Sequence, residues 1–309
     1  MRPGMRSLAI AAAAWGFAAT TAIAPAAPVE ERNVLAGKVK LQADQGYVYL
    51  QGANRFFGVF LRAPDEATRA EYQQDRDKAF ADARKRYQNQ LRRWEADVRL
   101  ATQTRKKPPE KPEELTLENF TFAPIELRDS FFFGPMFIYA KSEAGFSYLN
   151  AVKPGTYIWY GAMVLAPEGG AFGTCACMGT ISFEVKPGVV TDLGNFLAAA
   201  PEPGKAHDFA VFSAWQRAEE KAAKSGKPVE NPLFRPALAF GLPDSLKGWG
   251  SVQAEFHASG KLNNYYGVPI TRLPPIAGVL GYRRDTVIDL RTNTDVPNPR
   301  IVTQARIKK

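Results

Sequence analysis

Runs of aromatic and β-branched residues, separated by turn residues, recur along residues 115–194, which is typical of β-strands. Two turns in this stretch share one pattern, Val152-Lys153-Pro154-Gly155 and Val185-Lys186-Pro187-Gly188. Proline fixes φ at the second position of a type II turn, and glycine supplies the positive φ of the third. Together with further strands predicted at 34–43, 47–51 and 56–61, joined by hairpins, the pattern predicts a mainly β fold, an antiparallel β-sandwich.

A different pattern begins after Pro64. Residues 65–107 contain neither glycine nor proline and are dense in charge, and the run ends at Lys107-Pro108-Pro109. This predicts a long helical insertion over about 65–107, with a proline-rich exit that extends the insertion to 114. A second helix is predicted over about 208–225, where Gly226 would stop it.

The long helix carries one apolar stripe. With Leu91 and Val98 at heptad position a, Phe80, Tyr87 and Trp94 fall at d. The repeat is only half kept, because the preceding a positions hold charged residues. The stripe indicates an amphipathic helix that packs on its own domain, or a surface that binds a protein partner or a second copy of the chain. These five residues are the candidate partner-binding set.

The first 26 residues have the pattern of a secretory signal peptide. Two arginines precede an apolar run of about 16 residues, Leu8–Ile23, which is shorter than the roughly 20 residues of a spanning helix. Small residues follow, and we expect cleavage after Ala26. The prediction is therefore export to the periplasm or the extracellular space, with residues 27–309 as a single domain and no transmembrane segment in the mature chain.

Composition and charge narrow the function classes. The chain of 309 residues is 45% hydrophobic and 23% charged, which excludes disordered and collagen-like proteins. Its 40 Lys and Arg against 31 Asp and Glu give a net charge of +9. The positive charge that remains after the two signal arginines are removed favours weak binding to anionic envelope surfaces. Because export separates the protein from nucleic acid, we expect no nucleic-acid partner.

The two cysteines lie close together in Thr174-Cys175-Ala176-Cys177-Met178, between two glycines. In a regular strand their Cβ atoms would be about 6 to 7 Å apart, whereas a disulfide needs about 3.5 to 4.5 Å, so a direct bond requires a bent backbone. Three interpretations stay open: structural cysteines, disulfide-bonded or buried; a soft-metal site, copper foremost, that adds the thioether of Met178; and redox exchange. No other cofactor is indicated.

Catalytic motifs are lacking in the sequence. It contains no nucleophile elbow, phosphate loop, dinucleotide fingerprint or zinc-protease motif. We therefore expect a non-enzymatic exported envelope protein that works through binding or assembly. The alternatives are a copper-binding protein and an envelope hydrolase with paired carboxylates. The candidate carboxylates are Glu184, Asp192, Asp285 and Asp289.

Two further features bear on surface and fold. An aromatic polar surface for sugars or peptides could be formed by Asn263-Asn264-Tyr265-Tyr266 together with Trp159-Tyr160.

Part of the chain resembles domains of unknown function in exported bacterial proteins, which are similar in outline to Ig-like or transthyretin-like sandwiches. The resemblance covers residues 134–196, above all 152–157 and 183–194. The resemblance implies the sandwich fold and brings no catalytic residues.

Overall fold

The computed structural model describes residues 26–143, 145–166, 170–198, 217–218, 220–226 and 237–297. The predicted signal peptide, residues 1–26, lies outside this part of the chain except for its last residue. Of the predicted second helix, 208–225, residues 217–218 and 220–225 are described and are helical. The rest of that prediction falls outside the described residues.

The described elements are mostly strands, with one long helix. The helices are α1 Glu31–Leu35 and α2 Glu66–Gln103, with short 3-10 helices at Ile125–Leu127 and Asp244–Leu246. The strands are β1 Ala27–Val29, β2 Gly46–Gly52, β3 Gly58–Arg62, β4 Phe131–Phe133, β5 Ala140–Ser142, β6 Gly145–Val152, β7 Gly155–Gly161, β8 Met163–Leu165, β9 Ala171–Gly173, β10 Thr180–Val185, β11 Val190–Asp192, β12 Ser251–Gln253, β13 His257–Ser259, β14 Leu280–Arg283, β15 Thr286–Asp289 and β16 Thr294–Asp295.

Two larger sheets contain most of these strands. The first has the order β1-β6-β2-β11-β12, with β5 also paired to β6, and the second has the order β13-β10-β7-β3-β4. Strands β14 to β16 and the pair β8-β9 form two smaller sheets. Pairing is antiparallel except at β11, which runs parallel to both β2 and β12. The sequence pattern did not indicate this parallel pairing.

Side chains of both larger sheets contribute to one buried cluster. The first sheet contributes Val48, Leu50, Tyr148 and Val152, and the second contributes Phe60, Trp159, Ile181 and Phe183. The ring of Phe60 lies 5.0 Å from that of Trp159 and 5.5 Å from that of Phe183, measured between centroids. Such aromatic pairs add about 0.5 to 1.5 kcal/mol each beyond their buried area.

The two Pro-Gly turns connect the two larger sheets. The first joins β6 to β7 and the second joins β10 to β11, so each turn carries the chain from one sheet to the other. The expected positive φ is present at Gly155 (+136°) and at Gly188 (+71°). A Cβ on Gly155 would lie 2.9 Å from Nε of Arg62, so glycine at this position also makes room for that side chain.

The strand predicted over residues 34–43 is wrong. Helix α1 and an irregular segment occupy this region. The hydroxyl of Tyr47 accepts a hydrogen bond from the Gln42 backbone and donates one to the Lys40 carbonyl, at 3.1 and 3.3 Å. These bonds take the place of partners on a neighbouring strand. The predicted hairpin of residues 47–51 with 56–61 is also wrong, because β2 and β3 belong to different sheets.

The long helical insertion is present. Helix α2 lies within the predicted 65–107 and begins after Asp65, whose side chain accepts from the backbone N–H of Thr68 as an N-cap. The helix ends at Gln103 with Thr104 as C-cap. Within the described ranges, no helix has the combination of length and hydrophobicity that crossing a membrane requires.

Candidate functional site

Helix α2 and the residues that follow it form an arm. We use this name for α2 together with residues 104–124, which we call the return segment. At 1.5 Å per residue the 38-residue helix is about 57 Å long. Only Thr68 and Ala101 of the helix are buried. A helix of this length with so few buried side chains extends away from the sheets into solvent.

The return segment runs antiparallel along the helix. The ring of Phe120 lies 5.2 Å from that of Phe80, and nearer the sheets Tyr72 donates to the carbonyl of Ala123. Near the far end, the indole nitrogen of Trp94 donates to the carbonyl of Pro109 at 3.0 Å. The helix and the return segment therefore support each other over most of the arm.

The five predicted partner-binding residues share one face of the helix. Phe80, Tyr87, Leu91, Trp94 and Val98 are all half-buried. The half-buried face continues towards the sheets through Ala83 and Arg76, not through the a positions Arg84 and Asp77. A straight helix drifts by about 20° per heptad, which explains this one-residue shift. The return segment covers part of this face, and the partner-binding role stays a prediction.

A buried arginine fixes the base of the arm, where helix α2 meets the sheets. Arg62, on β3, is 7% exposed. Its guanidinium donates to the Pro154 carbonyl at 2.8 Å and to the Thr68 hydroxyl at 3.1 Å. It also forms an ion pair with Asp129 at 3.3 Å, and Lys153 approaches the other oxygen of that carboxylate at 3.1 Å. Arg62 therefore ties together the first turn of the helix, Asp129, which lies just after the return segment, and the β6–β7 turn.

Asp65 completes this cluster at the start of the helix. It pairs with Arg62 and caps the helix through the Thr68 backbone. The hydrogen bond from the Thr68 backbone is the largest cause that lowers the pKa of Asp65 to about 2, and the Arg62 guanidinium adds to it. About two to three turns further along the helix, Arg128 forms ion pairs with Asp75 at 2.8 Å and Glu71 at 3.4 Å. Local sequence patterns do not indicate this cluster, because Asp129 lies 67 residues from Arg62 in the chain.

Charge is distributed unevenly along the arm. Residues 65–82 hold six acidic and three basic residues, a net charge of −3. Residues 84–111 hold ten basic and three acidic residues, a net charge of +7. The acidic part is near the sheets, where Arg128 pairs with it, and the basic part forms the outer half. The net charge of +9 for the whole chain does not indicate this separation.

Cys175 and Cys177 are joined by a disulfide, and both are buried. Their Cα atoms are 5.1 Å apart, closer than in an extended strand, so the backbone is bent here. The segment is held by hydrogen bonds from the Thr271 backbone to the Cys175 carbonyl and from the Leu262 backbone to the Cys177 carbonyl. Met178 is half-buried beside the disulfide. In this state neither sulfur is a thiolate that could bind copper.

The candidate carboxylates are spread over three sheets. Glu184 is exposed on β10, whereas Asp285 and Asp289 belong to the small sheet β14–β16. Asp192 is buried on β11, and its two oxygens accept from the backbones of Gly194 and Gly241, at 2.8 and 2.7 Å. Burial raises the pKa of Asp192 against the effect of these bonds. Across the described ranges, no three His, Cys, Asp or Glu residues group as metal ligands would.

The predicted aromatic surface is divided between two sides of the second sheet. Adjacent strand residues point to opposite faces, so Trp159 enters the central cluster and Tyr160 points away from it. Tyr160 is fully buried; its hydroxyl accepts from the Tyr265 backbone at 2.8 Å. Its ring lies 5.6 Å from that of Tyr266. Tyr265 and Tyr266 are themselves half-buried, so these rings chiefly pack on one another.

A small recess of about 180 Å³ lies beside the disulfide segment. Phe56, Trp159, Ala176 and Leu273 contribute to its wall. Arg272 is its charged residue, and its described lining contains no carboxylate, histidine or cysteine. The recess therefore lacks a general acid–base pair.

Comparison of the chain with protein-family models, with curated proteins and with solved structures found no match. The functional argument accordingly rests on the geometry of the arm and on the chemistry of its residues.

Proposed function

We propose that this protein is a non-enzymatic, exported protein of the cell envelope that works by binding or assembly through the arm. The observation that carries this proposal is the 38-residue helix with only two buried side chains. Because this long helix contributes so little to the core of its own domain, we infer that its exposed surface serves to bind other molecules.

The anchoring of the arm supports a binding role. Arg62 is buried and bonds to the first turn of the helix, to Asp129 and to the β6–β7 turn. Buried charged side chains held by several hydrogen bonds fix geometry, because any other arrangement leaves a charge unpaired. An arm fixed in this way presents its outer half at a defined place relative to the sheets.

The remaining parts of the proposal concern fold and location. We propose that the two larger sheets face each other as a β-sandwich, supported by the cluster to which both contribute side chains. Export to the periplasm or the extracellular space is supported by the signal-like first 26 residues. The disulfide between Cys175 and Cys177 fits an oxidising compartment.

Site-specific photo-crosslinking in the source cells tests the binding role. A photoreactive amino acid at Arg92, which is exposed on the outer half of the arm, should give crosslinked adducts in the envelope fraction. The matched control is the same amino acid at Glu184, which is exposed on β10. The proposal predicts adducts at position 92 and few at position 184.

Two results would overturn the proposal. One is equal adduct formation at both positions, which would assign binding to the whole surface. The other is the absence of adducts at Arg92 and at a second outer position, Arg86, in protein that is folded and correctly located. Export is tested on the same samples by the intact mass, which should show that residues 1–26 have been removed.

A further inference from the structure

Four cations follow one line along the helix of the arm. Lys78, Lys85, Arg92 and Arg99 are spaced seven residues apart, and all four are exposed. Seven residues fall about 20° short of two full turns, so the four stay within a sector of about 60°. They span about 32 Å of helix. We call these four residues the cation row.

The cation row lies opposite the half-buried face. At about 100° per residue, Arg92 and Trp94 are separated by about 200° around the helix axis. Trp94 contacts the return segment through Pro109. The cation row is therefore directed away from the return segment and towards solvent.

The row retains most of its charge for an external partner. Lys85 pairs with Asp82 at 3.3 Å, and Arg92 donates to the side chain of Asn89. In the described part of the chain, Lys78 and Arg99 have no ion pair. Residues 78–99 carry seven basic and three acidic residues, a net charge of +4. Neighbours in the row are about 10 Å apart along the axis, about one Debye length in physiological salt, so their mutual repulsion is screened.

We propose that the arm lies along an anionic lipid bilayer, with the cation row on the phospholipid headgroups; this inference rests on the proposed function. A straight row of cations can contact a flat anionic surface at all four positions at once. Basic residues close to such a surface each contribute favourably to binding. The opposite face is already partly covered by the return segment, so it offers no open apolar groove to a partner helix.

An apolar side chain at the outer end of the row supports a membrane over a soluble polyanion. Leu100 follows Arg99 and is 58% exposed. A leucine beside a row of cations can be buried at the boundary between headgroups and acyl chains, as the apolar side chains of interfacial helices are. A soluble polyanion offers no such boundary. The predicted ligand is therefore the surface of a bilayer that contains anionic phospholipid.

Vesicle co-sedimentation of the mature chain tests this inference. The probes are vesicles of phosphatidylcholine alone and vesicles of phosphatidylcholine mixed with phosphatidylglycerol. The row variant changes Lys78, Lys85, Arg92 and Arg99 to Gln, which keeps helix propensity nearly constant. The control variant changes Lys38, Lys40, Lys186 and Arg284 to Gln; these four are exposed, lie outside the arm and give the same net charge.

The unmodified chain should bind the phosphatidylglycerol vesicles and not the phosphatidylcholine vesicles, more weakly as salt increases. Affinity should fall about fivefold for each row cation removed, and the control variant should bind nearly as tightly as the unmodified chain. Leu100→Ser, introduced into the unmodified chain, should also weaken binding to the phosphatidylglycerol vesicles. The salt dependence of that binding should stay the same. Circular dichroism should show unchanged helix content in all variants.

Three results would overturn the inference. The first is no binding to phosphatidylglycerol vesicles, the second is equal loss in the row and control variants, and the third is full competition by soluble polyphosphate with no effect of Leu100→Ser. If vesicles fail to bind but Arg92 crosslinks to a protein in cells, the lipid inference is wrong and the proposed function stands. If neither Arg92 nor Arg86 gives adducts in folded, correctly located protein, the proposed function also fails.

Discussion

The indole nitrogen of Trp94 donates a hydrogen bond to the carbonyl oxygen of Pro109, 3.0 Å away. The bond joins the outer half of the long helix to the start of the extended chain that returns along it. One of the residues expected to bind a partner thus has a partner within its own chain. The return segment therefore covers part of the apolar stripe of the helix. Without the return segment, this stripe would be exposed to solvent.

Trp94→Phe should loosen the return segment and leave the sheets unchanged. Loss of one hydrogen bond costs about 1 kcal/mol, which corresponds to about fivefold faster amide hydrogen exchange where exchange follows local opening. The hydrogen-bonded amides of the return segment, which include Thr116, Asn119 and Phe120, should show this increase in hydrogen-exchange mass spectrometry. Trp249→Phe is the control, since Trp249 packs on Tyr47 far from the arm. Equal acceleration in both variants would show that Trp94 has no specific role in the arm.

Arg62→Met should destabilise the protein strongly. The substitution keeps the length of the side chain but leaves the nearly buried Asp129 with Lys153 as its one ion-pair partner among the described residues, beside a hydrogen bond from the Thr68 hydroxyl. Breaking a buried ion pair typically costs about 3 to 5 kcal/mol, and we expect a loss near the lower end, measured by urea unfolding. Arg283→Ala removes an exposed pair with Asp295 and should cost less than about 1 kcal/mol. Similar losses in the two variants would contradict the anchoring role of Arg62.

The stability of the protein should depend on pH through Asp65. The folded-state pKa of about 2 lies below the ordinary aspartate pKa of 3.8, so folding favours the charged form. This contribution is fully present above pH 3.8 and is lost as the pH falls towards 2. Asp65→Asn keeps a good N-cap without a titrating group. Between pH 3.8 and pH 2, the free energy of unfolding of the Asp65→Asn variant should fall less than that of the unmodified chain. Equal decreases in the two proteins would exclude Asp65 as the cause.

The disulfide should be present in protein purified without reductant. Its intact mass should be two hydrogen atoms below that of the reduced chain, and added Cu(I) should give no stoichiometric adduct. The ring closed by Cys175 and Cys177 is very short, so the double variant with alanine at both positions should lose only about 2 kcal/mol through chain entropy. A copper adduct that disappears in this variant would move the function to metal handling.

Much of the architecture could be predicted from local sequence. The helix start follows from Asp65 as N-cap, and the two turns follow from Pro-Gly at fixed positions. What local patterns cannot give is the partner of each strand. Strand β11 runs parallel to β2, more than 130 residues earlier in the chain, and no turn between them specifies that pairing.

The candidate site was predicted only in part, for a similar reason. The stripe containing Phe80 and Trp94 is visible in the sequence, but its cover by Phe120 and Pro109 depends on the path of the return segment. The ion pair of Arg62 with Asp129 joins residues that are 67 positions apart, which no local pattern relates. The cation row is different, because the seven-residue spacing from Lys78 to Arg99 could have been found in the sequence by following basic residues as well as apolar ones.

Shortening the arm tests the central claim most directly. Removing residues 82–118 and joining the ends with a short Gly-Ser turn keeps the Phe80–Phe120 contact and the ion pairs at the base. The shortened chain should unfold at nearly the same urea concentration as the full chain but should no longer sediment with envelope membranes of the source cells. The uncut row variant should also lose sedimentation. If both variants stay folded and bind those membranes as well as the full chain, the arm is not the binding element of this protein.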